Sequence, residues 1–166
     1  NSSQTIKIIY TNFSEEVSLS QNLIFRFSED IVKNIDEMNE LQQTTNPILF
    51  TPSIEGKFRW TDKNEVIFTP LKSLKICTKY VAKINESLKK SFQLNRNIDN
   101  NSTEFHTPFL KISSFHGFWT LNEQTATPTL KLNIDFNYPV KPNEFINKTK
   151  ISINETPQNF ATTNDK

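Results

Sequence analysis

Apolar residues that alternate with polar ones constrain this chain more than any other feature of its sequence. The run Leu130–Phe136 places Leu, Leu, Ile and Phe on one side and Lys, Asn and Asp on the other. A period of two puts successive side chains on opposite faces of a strand, so this run predicts a β-strand with one buried face. The same pattern predicts further strands at Thr5–Tyr10, Leu23–Phe27, Pro47–Thr51, Lys57–Trp60, Glu65–Phe68, Tyr80–Ile84, Phe105–Ile112 and Ile151–Ile153. The fold class predicted is all-β, an immunoglobulin-like antiparallel β-sandwich.

Two stretches depart from the alternation. In the first, apolar residues recur at roughly helical spacing, namely Ile31, Ile35, Met38 and Leu41. Ser28 or Asp30 is its candidate N-cap, and a long loop with one or two helical turns fits the same residues. The second stretch, Ser87–Leu94, predicts a short helical turn, and the polar segment Asn95–Thr103 after it predicts an exposed loop.

Length and repetition predict the domain organisation. The 166 residues exceed one sandwich of roughly 100 residues but are too few for two. The strand ending at Phe136, followed by a small polar residue and Val140, repeats the order of features from Phe27 to Ile31. We therefore expect a complete domain at 1–113 and a truncated second domain at 114–166, the alternative being a chance likeness of two amphipathic strands. An N-terminus without Met or a signal-peptide pattern favours a piece of a longer protein.

Single residues near the predicted boundary between the two domains refine this prediction. Pro108 interrupts the last predicted strand of the first domain, and proline is tolerated only at sheet edges or bulges, so this strand is expected to be an edge or a bent one. After the boundary, Phe115, Phe118 and Trp119 form an aromatic cluster around Gly117. The apolar face of the strand that follows is expected to lie exposed or to borrow a partner.

Charge and composition exclude several functions. The net charge is +1 and the basic and acidic residues are interspersed, so the basic patch of a nucleic-acid binder is missing. No apolar run reaches about 18 residues, so we expect no membrane span in this fragment. With only two isolated glycines, a Gly-rich phosphate loop is impossible.

No residue pattern predicts a catalytic, cofactor-binding or metal site, and we expect no enzymatic activity and no cofactor. Cys77 is the sole cysteine and sits among apolar residues, which predicts a buried structural thiol. His106 and His116 lie on separate predicted elements, and no Cys or carboxylate recurs at metal-ligand spacing around them.

One series of motifs is distinctive. A Pro-x-x-x-Gly-x-x-x-Trp stretch at Pro52–Trp60 is followed by the strand Val66–Pro70 and then by a Leu-x(5)-Tyr-Val element at Leu74–Val81. Together with the earlier Phe27-Ser28, this series resembles the N-terminal macroglobulin-like domains of bacterial alpha-2-macroglobulins, over about residues 22–112. Ile76-Cys77-Thr78 departs from that family, which often carries Pro or Gly before the Tyr.

Ordinary packing explains the same motifs without a family. Gly56 permits a tight turn or bulge where φ is positive. Trp60 is expected to pack on Phe68 across the strands. Tyr80 is expected to tie a loop to the backbone as a tyrosine corner. A binding platform made of Trp60 and Tyr80 is the alternative, which their predicted inward position disfavours.

The resemblance implies a macroglobulin-like sandwich that serves as a non-catalytic structural domain of a large bacterial envelope protein, a protease inhibitor or trap. It implies as partners the neighbouring domains of the same chain and, through the full-length protein, proteases. It also implies an extracytoplasmic location, in the periplasm or at the cell surface, with a lipid-anchored parent. Cys77-Thr78-Lys79-Tyr80 does not match the Cys-x-Glu-Gln thioester motif of that family. An immunoglobulin-like stalk or adhesion module of a bacterial surface protein is the alternative, and an accessory domain of a secreted hydrolase is a third.

Overall fold

Antiparallel strands make up most of the chain in a computed structural model that describes residues 5–40 and 45–163. The chain divides into unit 1, Asn1–Phe109, and unit 2, Leu110–Lys166. Unit 1 contains the strands β1 Thr5–Ile6, β2 Ile8–Thr11, β3 Leu23–Phe27, β4 Ile48–Thr51, β5 Gly56–Asp62, β6 Glu65–Pro70, β7 Lys79–Ile84, β8 Asn97–Ile98 and β9 Ser102–His106, and the helices α1 Ile35–Glu40 and α2 Ser87–Ser91. Unit 2 contains β10 Ile112–Leu121, β11 Pro128–Phe136, α3 Pro142–Lys148, β12 Ile151–Ile153 and β13 Thr156–Gln158. The all-β class is confirmed.

Two sheets form the sandwich of unit 1. One has the strand order β2-β3-β6-β5 and the other the order β4-β7-β9, both antiparallel, while β1 pairs in parallel with β8. Phenylalanine rings join the sheets: Phe50 of β4 lies 4.7 Å from Phe68 of β6 and 6.0 Å from Phe25 of β3, between ring centroids. Large buried apolar side chains of this kind dominate the free energy of such a core.

The predicted tyrosine corner is present. The backbone N–H of Lys75 donates to the Tyr80 hydroxyl at 3.1 Å. The fully buried Thr107 closes the same loop, since its hydroxyl donates to the Lys75 carbonyl at 2.7 Å and accepts from the N–H of Thr78 at 3.0 Å. Trp60 and Tyr80 are both buried, which rules them out as an exposed platform.

Gly56 serves a different purpose from the predicted one. No glycine of the described chain has a positive φ, so a turn or bulge with positive φ is not its reason. A Cβ at this position lies 2.2 Å from Cζ of Phe68, so the glycine makes room for that ring. The predicted contact of Trp60 with Phe68 is also wrong, because the register places Trp60 opposite Val66 and pairs Phe68 with Phe58.

The last strand of unit 1 ends earlier than predicted. The expected strand Phe105–Ile112 is wrong in extent, because β9 ends at His106 and β10 begins only at Ile112. Thr107 is committed to the loop hydrogen bonds described above, and Pro108 has no N–H to give to a neighbouring strand. The loop expected at Asn95–Thr103 contains β8 and the start of β9.

The two helical predictions are confirmed as short helices. α1 begins after Asn34, whose Oδ1 accepts from the backbone N–H of Asp36 at 3.1 Å, so Asn34 caps the helix instead of Ser28 or Asp30. Leu41 lies outside the described residues. α2 occupies the predicted turn at Ser87–Leu94.

Unit 2 opens with the same hairpin as unit 1. The register of β2 on β3 shifts by one residue between Ile8 and Tyr10, and that of β10 on β11 shifts between Ile112 and Ser114. In both hairpins the residue before the shift pairs with the last phenylalanine of the second strand. The two hairpins therefore carry a bulge at the same point.

The same backbone clamp closes each hairpin. The N–H of Lys7 donates to the Ser28 hydroxyl at 3.2 Å, and the N–H of Ser28 donates back to the Lys7 carbonyl at 2.9 Å. In unit 2, Lys111 donates to Oδ1 of Asn137 at 2.8 Å, and Asn137 donates back to the Lys111 carbonyl at 3.1 Å. A short helix and a short strand follow each hairpin, α1 and β4 in unit 1, α3 and β12 in unit 2.

Candidate docking surface

The β10–β11 hairpin of unit 2 has one apolar and one polar face. Cross-strand partners share a face, and five successive pairs consist of apolar residues or glycine. We call this set the hairpin apolar face; it comprises Ile112, Phe115, Gly117, Trp119, Leu121, Pro128, Leu130, Leu132, Ile134 and Phe136.

Three large side chains that β10 contributes to the hairpin apolar face are open to solvent. Phe115 is 60% exposed, Trp119 is 67% exposed and Leu121 is 68% exposed. The corresponding face of β3 in unit 1 is fully buried at Phe25 and Phe27, beneath the second sheet. The hairpin apolar face therefore has the character of a sandwich core but lacks its covering layer among the described residues.

The opposite face of the hairpin is polar. Its cross-strand pairs are Ser114 with Asp135, His116 with Asn133, Phe118 with Lys131, and Thr120 with Thr129. The Ser114 hydroxyl donates to a carboxylate oxygen of Asp135. Phe118 is 38% exposed and is the one large apolar side chain on this face. The expected aromatic cluster around Gly117 is thus divided, with Phe118 on the side away from the other two rings.

One end of the hairpin apolar face is covered within unit 2. Phe136 at the end of β11 meets Phe145 of α3 edge-on at 5.8 Å, and Phe145 meets Phe160 at 6.4 Å. This small aromatic cluster shields one end, while Trp119 and Leu121 at the other end stay exposed. An open concavity of about 660 Å³ lies beside α3 and β12, with Lys150 and Glu155 among the residues that line it.

The residues considered for chemistry are not brought together. Cys77 is exposed and has a φ of 51°, so the predicted buried thiol is wrong. It lies in the loop that Tyr80 and Thr107 fix from the inside, which leaves its own side chain on the outside. His106 stacks on Phe109 at 4.2 Å, and the described residues contain no cluster of His, Cys, Asp or Glu that could hold a metal ion.

None of the helices in residues 5–40 and 45–163 is long and apolar enough to cross a bilayer.

No protein-family model and no curated protein matches the chain. Among solved structures, an L,D-transpeptidase from Mycobacterium smegmatis is 12% identical, with a TM-score of 0.41 over 66% of this chain and 42% of that one. L,D-transpeptidase 3 from Mycobacterium tuberculosis is 14% identical, with a TM-score of 0.41 over 90% and 54%. Another L,D-transpeptidase from Mycobacterium tuberculosis H37Rv is 17% identical, with a TM-score of 0.39 over 77% and 48%. The chain thus spans about half the length of these proteins.

These neighbours correct the functional interpretation of the sequence. They are L,D-transpeptidases and not alpha-2-macroglobulins, so the resemblance to that family was wrong, and the protease trap and the stalk or adhesion module fall with it. The expectation of a non-enzymatic protein was wrong for the same reason, since the neighbours are enzymes. The motifs misled because Gly56, Trp60 and Tyr80 serve packing that any such sandwich needs. Transpeptidase activity is a property of those proteins and is not carried over to this chain at such identity.

Proposed function

We propose that this chain binds a polypeptide partner through the hairpin apolar face, with unit 1 as an already completed sandwich. The observation that carries the proposal is the exposure of Phe115, Trp119 and Leu121 on a face whose counterpart in unit 1 is core. Contiguous exposed apolar surface of this kind marks sites of interaction with other proteins. Exposed Trp and Phe are also the side chains that most often anchor such interfaces.

The free energy gained by covering Phe115 and Trp119 shows how much contact a protein partner has to make. Aromatic side chains bury about 150–250 Å² each, so the exposed parts of Phe115 and Trp119 amount to roughly 250 Å². At about 25 cal/mol per Å², covering them contributes about 6 kcal/mol before the cost of association. That cost is on the order of 4–15 kcal/mol, so a stable complex needs further contacts beyond the two rings. A partner that also engages the backbone of the hairpin supplies them.

Site-specific photo-crosslinking in cells that express the natural gene tests the proposal. A photoreactive phenylalanine analogue is placed at Phe115 or Trp119, and the matched control places it at Phe118 on the opposite face of the same strand. We expect discrete crosslinked products from the first two positions and little from the third. Equal products from both faces, or none from Phe115 and Trp119, contradict the proposal.

We also propose that the protein works outside the cytoplasm, in the periplasm or at the cell surface, with a lipid-anchored parent as the finer prediction. The support is fold analogy. Cys77 is the only cysteine of the sequence and is exposed, which makes it a reporter of compartment. A membrane-impermeant maleimide applied to intact cells is expected to label the native protein, with Cys77→Ser as the control. Labelling only after lysis contradicts the location.

A further inference from the structure

We propose that the partner is an antiparallel β-strand that pairs with the free edge of β11, in the register that β6 takes on β3. The inference rests on the proposed docking function and specifies the chemistry of the occupant. The backbone of the incoming strand continues the sheet, and its alternate apolar side chains lie on the same side of the sheet as the hairpin apolar face. Addition of a strand to an open sheet edge supplies main-chain hydrogen bonds for affinity and side-chain positions for specificity.

Unit 1 provides the template. There β3 lies between β2 and β6, so both of its edges are paired. The β3–β6 register places Leu23 opposite Phe68 and Phe25 opposite Val66. In unit 2, β11 pairs with β10 alone among the described residues, although its hairpin repeats the β2–β3 hairpin down to the bulge. An open strand edge beside an open apolar face is a template for another chain.

The equivalence of the two hairpins fixes the register of the incoming strand. Leu132 of β11 occupies the place of Leu23, and Ile134 occupies the place of Phe25. The strand is therefore expected to place a large aromatic residue opposite Leu132, as Phe68 lies opposite Leu23. It is expected to place a β-branched residue opposite Ile134, since Val66 takes that position in unit 1.

The polar face of β11 adds a requirement for the charge of the incoming strand. In unit 1, Arg26 lies opposite Glu65, and their side chains form an ion pair with an N–O distance of 2.6 Å. The residue equivalent to Arg26 is Asp135, which reverses the charge on β11. The incoming strand is therefore expected to carry Lys or Arg opposite Asp135. Opposite charges across a strand pair stabilise it, whereas like charges destabilise it.

A second copy of the chain fits this surface less well. β11 has nine residues, so the two-stranded ribbon is about 30 Å long and about 10 Å wide. Face-to-face packing of two such ribbons covers roughly 300 Å² on each copy, below the ~800 Å² per partner of a standard stable interface. It also leaves the edge of β11 unpaired. A strand that pairs with β11 satisfies this edge, as β6 satisfies the edge of β3 in unit 1.

The test uses the full 166-residue chain with Cys77→Ser and a peptide strand attached at its C-terminus through a flexible Gly/Ser linker, which raises the effective concentration. The peptide carries the sequence of residues 63–70 with Glu65→Lys. One control peptide keeps Glu65, and another replaces Val66 and Phe68 by Ser. Amide hydrogen exchange is measured at Leu132–Phe136. We expect protection with the first peptide, weaker protection with the Glu65 peptide by about 1.5- to 5-fold, and none with the serine peptide.

Two further measurements fix register and charge. With Asn133→Cys in the chain and Ile67→Cys in the peptide, a disulfide is expected to form. Asn133 is the equivalent of Ile24, which pairs with Ile67 in unit 1. Moving the peptide cysteine by one residue is expected to reduce its yield. Asp135→Arg is expected to invert the preference, so that the Glu65 peptide binds more tightly than its lysine counterpart.

The outcomes separate this inference from the proposed function. Crosslinks in cells from Phe115 and Trp119, together with unprotected β11 amides in the peptide experiment, overturn the strand register and leave docking in place. A dimer in sedimentation that Trp119→Ser abolishes assigns the face to a second copy and also overturns the inference. Protection of β11 without a difference between the lysine and glutamate peptides overturns the charge requirement. Absent crosslinks overturn the proposed function itself, whatever the peptide does.

Discussion

Gly56→Ala is expected to destabilise unit 1 strongly, although it adds a single methyl group. An alanine Cβ at this position lies 2.2 and 2.4 Å from ring atoms of Phe68 and 2.7 Å from the carbonyl oxygen of Thr69. Carbon atoms pack favourably at about 3.5–4.0 Å, so the ring has to move by more than 1 Å. The carbonyl belongs to the backbone of the paired strand β6 and has little freedom to yield.

The surroundings of Phe68 set the magnitude. Phe68 is fully buried, and Phe50 and Phe58 each lie 4.7 Å from it between ring centroids. A ring held on both sides moves only by disturbing its neighbours, and overpacking of this kind costs about 1–3 kcal/mol. Replacing Gly by Ala also stabilises the protein by about 0.4–1 kcal/mol, because it reduces the conformational entropy of the unfolded chain. Since the ring is held on both sides, the upper part of the overpacking range applies, and we expect a net loss of about 1–2.5 kcal/mol, which corresponds to a fall in Tm of at least about 4 °C.

Urea denaturation measures this loss. With Trp119→Phe in the background, the buried Trp60 is the sole tryptophan and reports on unit 1. Phe68→Leu replaces the ring by a smaller side chain and leaves room for the alanine methyl group. The two changes together are therefore expected to cost at least about 1 kcal/mol less than the sum of the single changes. Gly117→Ala, followed by circular dichroism, is the matched control in unit 2, because its Cβ meets only the flexible end of Leu132 at 3.1 Å and a carbonyl at 3.9 Å. A Gly56→Ala loss below about 0.5 kcal/mol, or additive changes, refutes the steric reasoning.

Three further changes test hydrogen bonds of unit 1 by the same denaturation assay. Tyr80→Phe leaves the Lys75 N–H without its acceptor and is expected to cost about 1–2 kcal/mol; unchanged stability contradicts a corner role. Thr107→Val leaves two part-buried backbone groups without this partner and is expected to cost about 2–3 kcal/mol, and a loss no larger than that of Tyr80→Phe contradicts the double role. Asn39→Ala removes both hydrogen bonds to the Trp60 backbone, so a loss of about 1–2 kcal/mol is expected, with Asn39→Asp in between; equal losses argue against paired amide contacts.

Alternation predicted the strands well because burial on one face is recorded directly in the sequence. Leu23, Phe25 and Phe27 are fully buried on the predicted face of β3. Tyr80 is at its predicted corner, since the residue type and its distance from the loop suffice to form the hydrogen bond to Lys75. These features depend on contacts within one sheet or one loop.

Features that depend on register were missed. A register shift of two residues decides whether Trp60 or Phe58 lies opposite Phe68, and the length of the β5–β6 connection sets the register. The same information was lacking for Gly56, whose role depends on a ring from the next strand. Cys77 was misplaced because its apolar neighbours in sequence do not reveal that the Tyr80 hydroxyl holds the loop from inside.

The candidate docking surface shows most clearly what alternation in the sequence does not predict. β3 and β11 have the same alternation and a bulge at the same point of their hairpins, yet the apolar face of β3 is fully buried and that of β11 is only half-buried. Alternation in the sequence of a strand shows which of its two faces is apolar. It does not show which other segment packs on that face. The edge of a strand also needs hydrogen-bond partners, and the edge of β5 in unit 1 shows how a side chain supplies them. There the Asn39 amide donates to the Trp60 carbonyl at 2.9 Å and accepts from the Trp60 N–H at 3.0 Å. A side chain of α1 thus takes the place of a neighbouring strand there. Since the described residues place no such group on the free edge of β11, a strand from elsewhere is the occupant that completes this edge, as β6 completes that of β3.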